Sequence, residues 1–115
     1  MMNSILFVGR LTKDVEVKEL DDGKKVANIS LAVPRSFKNS EGIYETDFIN
    51  CTVWGDKADV TAMYCHKGDM VGVKGRAESH IEKTEEGSRY NIVFVADRVT
   101  FLSSRSKKIE QELNQ

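Results

Sequence analysis

Two aromatic residues stand out in this sequence because they fall on the polar face of a predicted strand. The stretch Thr46 to Trp54, TDFINCTVW, alternates between apolar and polar side chains, as a half-buried strand does. Its apolar set faces the core, whereas the opposite set carries Phe48 and Trp54 on either side of Asn50 and Thr52. Exposed aromatics of this kind form a stacking platform for nucleic-acid bases, although packing at a barrel corner explains them equally well.

Basic residues accompany the aromatic ones. Phe37 lies between Arg35 and Lys38 in a polar stretch, where a core residue is not expected. The remaining basic candidates end the first strand or surround the start of the fourth: Arg10, Lys13, Lys67, Lys74 and Arg76. Cations that neutralise phosphates, set beside aromatics that stack on bases, are what a single-stranded nucleic-acid groove requires. We predict that several of these cations contact a phosphate backbone, the alternative being that all are solvated surface charges.

Catalytic chemistry has little support in the sequence. Neither His66 nor His80 belongs to a Cys or Ser arrangement that would suggest a triad. The adjacent acidic pairs at 21–22 and 85–86 occur in turn sequences, where solvation explains them, and VGVKG lacks the spacing of a phosphate-binding loop. We therefore expect neither enzymatic activity nor a cofactor.

The two cysteines also favour a structural interpretation. Cys51 and Cys65 are too few for a zinc site of their own, and no CxxC or HxxxH pair lies near them, so we expect no metal. The N-terminal sequence lacks the pattern of a secretory signal, and the apolar runs are too short to span a membrane. We expect two buried thiols in a reducing cytoplasm, with a disulfide as the alternative.

Composition indicates one globular domain with a mixed surface. The chain has 115 residues, of which 40% are hydrophobic. Seventeen Lys and Arg residues against eighteen Asp and Glu residues give a net charge of -1. This balance excludes a histone-like polycation, but it allows a basic groove on an otherwise acidic body.

The elements that must position these residues are mostly strands. Turn signals and alternation predict strands at 4–11, 25–33, 46–54, 70–82 and 89–102, and a helix from Lys57 to about His66. Asp56 is predicted to cap the helix, Pro34 to end regular pairing or mark an edge, and residues 35–45 to form a polar loop. Three strands, one helix and two bent, Gly-containing strands indicate an all-β protein with one short helix, folded as a five-stranded OB-fold barrel.

Over roughly residues 3 to 102, the chain resembles the bacterial-type single-stranded DNA-binding proteins. The matching pieces are Asn3, VGRLTKD (8–14), Gly23, LAV (31–33), RSF (35–37), TDFINCTVWG (46–55), KGD (67–69), GR (75–76) and ADRVTFL (96–102). Their order and spacing across the whole domain carry the resemblance.

The resemblance implies an OB-fold subunit that assembles, usually as a homotetramer, and is wrapped by single-stranded DNA. Family members stack bases on aromatics at positions like Phe37, Phe48 and Trp54. Basic residues at positions like Arg10, Arg35, Lys67 and Arg76 contact phosphates in the family, and the first strand pairs across a dimer interface. The implied location is the cytoplasm, in association with nucleoid DNA and not with a membrane.

This sequence departs from the family pattern in three places. Val15 stands where a proline is usual after VGRLTKD, and Ile81 or Glu82 stands where the fourth strand often has a further stacking aromatic. The chain ends in KKIEQELNQ, without the linker and the acidic, hydrophobic-tipped tail that recruit replication and repair enzymes. We therefore expect an OB-fold domain over residues 1–102, a short polar tail over 103–115, and a short form of the family.

Three functions follow from these observations. The first is sequence-independent binding and protection of single-stranded DNA in replication, recombination, repair or uptake, through base stacking and phosphate neutralisation. The second is a primosome-type OB-fold interaction module that binds DNA more weakly. The third is a small barrel hydrolase, which would need a metal ion and clustered carboxylates that the sequence does not suggest.

Overall fold

The computed structural model describes residues 1–104, and residues 105–115 lie outside the described part. Within residues 1–104, seven elements follow one another: β1 (Ile5–Leu11), β2 (Glu16–Glu19), β3 (Lys25–Lys38), β4 (Tyr44–Trp54), α1 (Asp56–Tyr64), β5 (Met70–Thr84) and β6 (Gly87–Ser103). The division into a domain of residues 1–102 and a tail stays a prediction, because most of the tail falls outside the described residues.

The strands form one sheet that closes into a barrel. Their order is β1-β5-β6-β4-β3-β2, and a further pairing between β1 and β3, with Leu11 opposite Leu31, closes the ring. The short strand β2 pairs with the same strand β3, with Glu16 opposite Asn28, so β1 and β2 form two halves of one barrel strand. The predicted five-stranded OB-fold barrel with one helix is confirmed, although the sequence pattern did not indicate β2.

The core lies inside the barrel and is filled by alternate residues of the strands. The largest fully buried side chains are Ile29, Leu31, Cys51, Val53, Val71 and Val73. Burying one aliphatic side chain of this size contributes roughly 1.5–3 kcal/mol to folding. The inward-facing alternation predicted for the two central strands, β3 and β4, is therefore confirmed.

Strand β3 continues beyond the predicted end. Pro34 pairs with Thr46, and after a register shift Lys38 pairs with Tyr44, so the predicted loop of residues 35–45 is wrong. The actual turn spans residues 39–43, where the Asn39 Oδ1 atom accepts hydrogen bonds from two backbone N–H groups. We call the part of β3 and β4 between Pro34 and Thr46, with its turn, the β3–β4 arm. The polar sequence was misleading because this arm extends past the core, so its residues pair as strands without being buried.

The helix differs from the prediction at both ends. It begins after Gly55, whose φ of 74° favours glycine, so the prediction that Asp56 caps it is wrong. It ends at Tyr64, because Cys65 adopts an extended conformation, whereas the sequence suggested an end near His66.

The helix faces the barrel with its small residues. Ala58 and Thr61 are buried, whereas the apolar stripe of Val60, Met63 and Tyr64 is exposed. Small side chains permit a close approach of the helix to the barrel, and the apolar stripe is left outside.

A bulge bends the last hairpin, which β5 and β6 form. Lys74 pairs with Arg98 and Gly75 pairs with Ala96, so Asp97 is an extra residue in β6. Such a bulge increases the local twist and helps a sheet to close into a barrel.

Both cysteines are buried and free, as predicted. Burial raises the pKa of the Cys51 thiol to about 11, and burial followed by the negative charge of Asp69 raises the pKa of Cys65. Both groups are therefore neutral packing residues near neutral pH.

Candidate nucleic-acid interface

The outer face of β3 and β4 presents the aromatic residues to solvent. Phe48 lies opposite Ala32, Trp54 lies opposite Val26, and their exposed fractions are 73% and 46%. A side chain as exposed as Phe48 contributes little to packing, so the corner-packing alternative does not explain it. Trp54 is half covered at the end of β4, which leaves much of its indole available for stacking.

Polar, uncharged side chains fill the space between these two aromatics. Asn28 pairs with Thr52, and Ser30 pairs with Asn50. The Thr52 hydroxyl donates a hydrogen bond to the Asn28 Oδ1 atom at 3.3 Å. No carboxylate lies on the outward-facing positions of this strand pair, from Val26 to Pro34 and from Tyr44 to Trp54. An anionic chain that follows β3 and β4 therefore meets no like charge on these two strands, although Glu16 of the neighbouring strand lies opposite Asn28.

Arg10 reaches the same face from β1. It pairs with Ala32, which pairs with Phe48, so these residues form one row across three strands. Adjacent strands lie about 4.8 Å apart, which puts the arginine roughly 10 Å from the phenylalanine, backbone to backbone. The guanidinium donates a hydrogen bond to the Gly68 carbonyl at 3.0 Å, and it has no carboxylate partner within residues 1–104.

Lys13 and Lys67 are brought together at the end of β1. The backbone N–H of Lys67 donates to the Asp14 carboxylate at 2.8 Å, and the next N–H, from Gly68, donates to the Leu11 carbonyl at 2.8 Å. Both lysine side chains are exposed, and neither forms an ion pair with another described residue.

Lys18 is a further cation that the sequence interpretation missed. It pairs with Val26, which pairs with Trp54, so it forms a second row of the same face. Lys13, Lys18 and Asn28 line a groove of about 150 Å³, together with the carboxylates of Asp14 and Glu16. The four-residue alternation EVKE was the available signal, but it is too short to predict a strand on its own.

Arg35 and Arg76 differ from the other predicted cations because carboxylates already surround them. Arg35 contacts Asp47 at 2.9 Å and Glu45 at 2.6 Å, on the face of the β3–β4 arm opposite Phe48. The hydrogen bond from Arg35 holds the pKa of Asp47 below its usual value. Arg76 contacts Glu78 and Asp97 in the same way.

The remaining predicted residues lie at two separate places. Phe37, 64% exposed, lies in the irregular part of β3, and Lys38 follows it near the tip of the β3–β4 arm. Lys74 lies on the outer face of β5, between Leu6 of β1 and Arg98 of β6, away from the aromatic face. The structure therefore groups Arg10, Lys13, Phe48, Trp54 and Lys67 around one face, with Phe37 and Lys38 at its end.

The described residues contain no cluster of three His, Cys, Asp or Glu side chains that could hold a metal ion. Within the same residues, no helix has the length and apolar character needed to cross a membrane.

A closed barrel with exposed aromatics on the outer face of two strands, bordered by cations that form no ion pair within residues 1–104, defines the oligonucleotide-binding class of OB folds. The model of the single-strand binding protein family matches residues 2–102. This chain belongs to the single-strand binding protein family.

Individual relatives match nearly the whole chain. Single-stranded DNA-binding protein B of Bacillus subtilis is 43% identical over 109 residues, which cover 94% of this chain and 96% of the relative. Single-stranded DNA-binding protein 3 of Streptococcus agalactiae is 40% identical, covering 100% of this chain and 83% of the relative. The single-stranded DNA-binding protein of Halalkalibacterium halodurans is 42% identical, covering 94% of this chain and 65% of the relative.

Proposed function

We propose that this protein binds and protects single-stranded DNA without sequence preference, by stacking bases on aromatics and neutralising phosphates. The observation that carries the proposal is the carboxylate-free outer face of β3 and β4, with Phe48 and Trp54 exposed and Arg10 in the same row. Family membership and the names of the relatives support it. None of these findings favours the primosome-type alternative.

In this proposal the predicted residues have graded roles. Phe37, Phe48 and Trp54 stack on bases, while Arg10, Lys13, Lys38 and Lys67 contact phosphates. Arg35 and Arg76 contribute less to binding, because their carboxylate partners already neutralise them. Lys74 lies opposite Arg98 on another face of the subunit. These two cations would contact single-stranded DNA only where the DNA wraps further around the subunit.

We further propose that the protein is a homo-oligomer, with the tetramer that the family resemblance implies. Leu6 and Val8 on the outer face of β1 are 72% and 47% exposed, which is costly for a free subunit. β1 pairs with β5 on one side, and only its end at residues 10–11 pairs with β3, so its first residues have a free edge in the described chain. A monomeric mass in light scattering would contradict this assembly. We place the protein with DNA in the cytoplasm, where replication or recombination proteins are its candidate partners.

The test of DNA binding uses Trp54, the single tryptophan of the chain. Titration with a pyrimidine oligonucleotide is expected to quench Trp54 fluorescence strongly, because a base stacks on the indole. The effect should weaken as salt is added, since bound phosphates release counterions, and duplex DNA of the same length should not produce it. Absence of binding to single strands at low salt would overturn the proposal.

Replacing single cations is expected to change the salt dependence of DNA binding more for cations without a carboxylate partner than for those in ion pairs. Lys67→Ala and Lys13→Ala should each reduce the slope of log K against log salt by about 0.7 to 1, the value of one lost phosphate contact. Arg76→Ala should change the slope less, because Glu78 and Asp97 compete for its charge. The measurement is oligonucleotide affinity at four or more salt concentrations. A larger change for Arg76→Ala than for Lys67→Ala would show that the ion pairs open on binding.

A further inference from the structure

Tyr44 lies on the same face of β4 as Phe48 and Trp54. Side chains alternate along a strand, so residues 44, 48 and 54 point to one side of β4, and the register shift between Pro34 and Lys38 lies in the partner strand β3. Strand geometry puts the Tyr44 position about 13 Å from Phe48, and Phe48 about 20 Å from Trp54. The ring is 56% exposed. The three aromatics therefore form one line along β4.

A cation accompanies Tyr44. The Lys38 Nζ atom lies 5.6 Å from the centre of the tyrosine ring, in a cation–π contact at an exposed site. Such exposed contacts are weaker than base stacking, so a base can displace the ammonium group from the ring. The freed ammonium group then lies beside the stacked nucleotide, where its phosphate needs a counter-charge.

The backbone that carries Tyr44 is held from the other side of the arm. Arg35 on β3 contacts Glu45 and Asp47 on β4, and the Asn39 side-chain amide donates a hydrogen bond to Glu45 at 3.2 Å. These contacts join both strands of the arm and its turn, so the arm presents Tyr44 in a fixed orientation. A preorganised ring loses less conformational entropy when a base stacks on it.

We propose that Tyr44 is a further base-stacking residue, which extends the DNA path from Trp54 past Phe48 to the tip of the β3–β4 arm, with Lys38 as its phosphate partner. This inference rests on the proposed function. It also supplies, on a different strand, a stacking residue that the sequence lacks at Ile81 or Glu82.

The chain provides a matched control. Tyr64 is 64% exposed, so it resembles Tyr44 in solvent contact. It ends α1 and does not lie on the aromatic face of β4. Its replacement shows the effect of losing an exposed tyrosine elsewhere on the subunit.

The test compares Tyr44→Ala with Tyr64→Ala in oligonucleotide binding. Tyr44→Ala should weaken binding of a long oligonucleotide about 5- to 150-fold, while Tyr44→Phe and the control variant bind as the wild-type chain does. The loss should disappear for oligonucleotides too short to reach from Trp54 to the arm. Quenching of Trp54 at saturation should remain, because that stacking site is unchanged.

A second measurement does not depend on any variant. Photo-crosslinking of the wild-type chain to an oligonucleotide that carries a photoreactive halogenated pyrimidine should label Tyr44, located by mass spectrometry of the peptides. Normal affinity of Tyr44→Ala together with absent labelling would overturn the inference and leave the proposed function intact. Failure of the wild-type chain to bind the oligonucleotide would instead overturn the proposed function.

Discussion

The double variant Phe48→Ala, Trp54→Ala is expected to bind single-stranded DNA about 2–6 kcal/mol more weakly than the wild-type chain, because each lost stacking contact costs about 1–3 kcal/mol. The two residues are separated by about 20 Å along β4, so their contributions should add. The slope of log K against log salt should stay unchanged, since no cation is removed. Affinity at several salt concentrations, measured by a labelled oligonucleotide, tests both expectations.

The expected loss of DNA affinity in this double variant can be distinguished from a loss of folding. Phe48 is 73% exposed and Trp54 is 46% exposed, so truncation removes little buried surface. The free energy of unfolding of the double variant, measured by urea titration, should therefore lie within about 1–2 kcal/mol of the wild-type value. Met63→Ala on the exposed stripe of α1 is a suitable control for affinity. An unfolded double variant would favour a packing role for the two residues, and a folded variant with normal affinity would place the DNA elsewhere.

The sequence predicted the aromatic face because the period of a strand alone decides which residues share a side. Alternation from Thr46 to Trp54 assigned Phe48 and Trp54 to the face opposite Cys51 and Val53, and the burial of the latter pair confirms the assignment. The prediction of a barrel followed from the order of the elements and from the glycines of the fourth predicted strand. These features are local, so no knowledge of strand pairing was needed.

The cations were harder to interpret because their partners come from other strands. Arg35 meets Asp47 only because β3 continues beyond Pro34 and pairs with β4, and Arg76 meets Asp97 only because of the bulge in β6. Lys18 joins the Trp54 row only through the pairing of β2 with β3. Register of this kind is set by tertiary packing, so the sequence pattern could not distinguish free cations from paired ones.

Tyr44 shows how one error about an element hides a candidate residue. The polar composition of residues 35–45 indicated a loop, and a loop has no alternation from which to infer a face. Once β4 is known to begin at Tyr44, the same period of two that identified Phe48 also includes Tyr44. The missing information was therefore the length of the arm, which the hydrogen bonds of Asn39 and the pairing of Lys38 determine.

Gly75→Ala is expected to destabilise the barrel by about 3 kcal/mol or more, the largest stability effect that we predict for a single substitution. A Cβ atom at this position would overlap the Val95 carbonyl oxygen and would lie 3.0 Å from the Ala96 Cα atom. These are backbone atoms of β6 at the bulge, so they cannot move aside as a flexible side chain can. The free energy of unfolding, measured in urea at one protein concentration, tests the expectation.

Gly72→Ala in the same strand is the matched control. Its added Cβ atom would meet only the Leu102 Cδ1 atom at 3.8 Å, which is ordinary van der Waals contact, so its stability should change by less than about 1 kcal/mol. The strain in Gly75→Ala should also reach the proposed DNA site. Phe94 and Val95 pair with Cys51 and Thr52 near the C-terminal end of β4, so a shift of β6 displaces the strand that carries the aromatic face. Equal stability of the two variants would show that the bulge relaxes freely around the added methyl group.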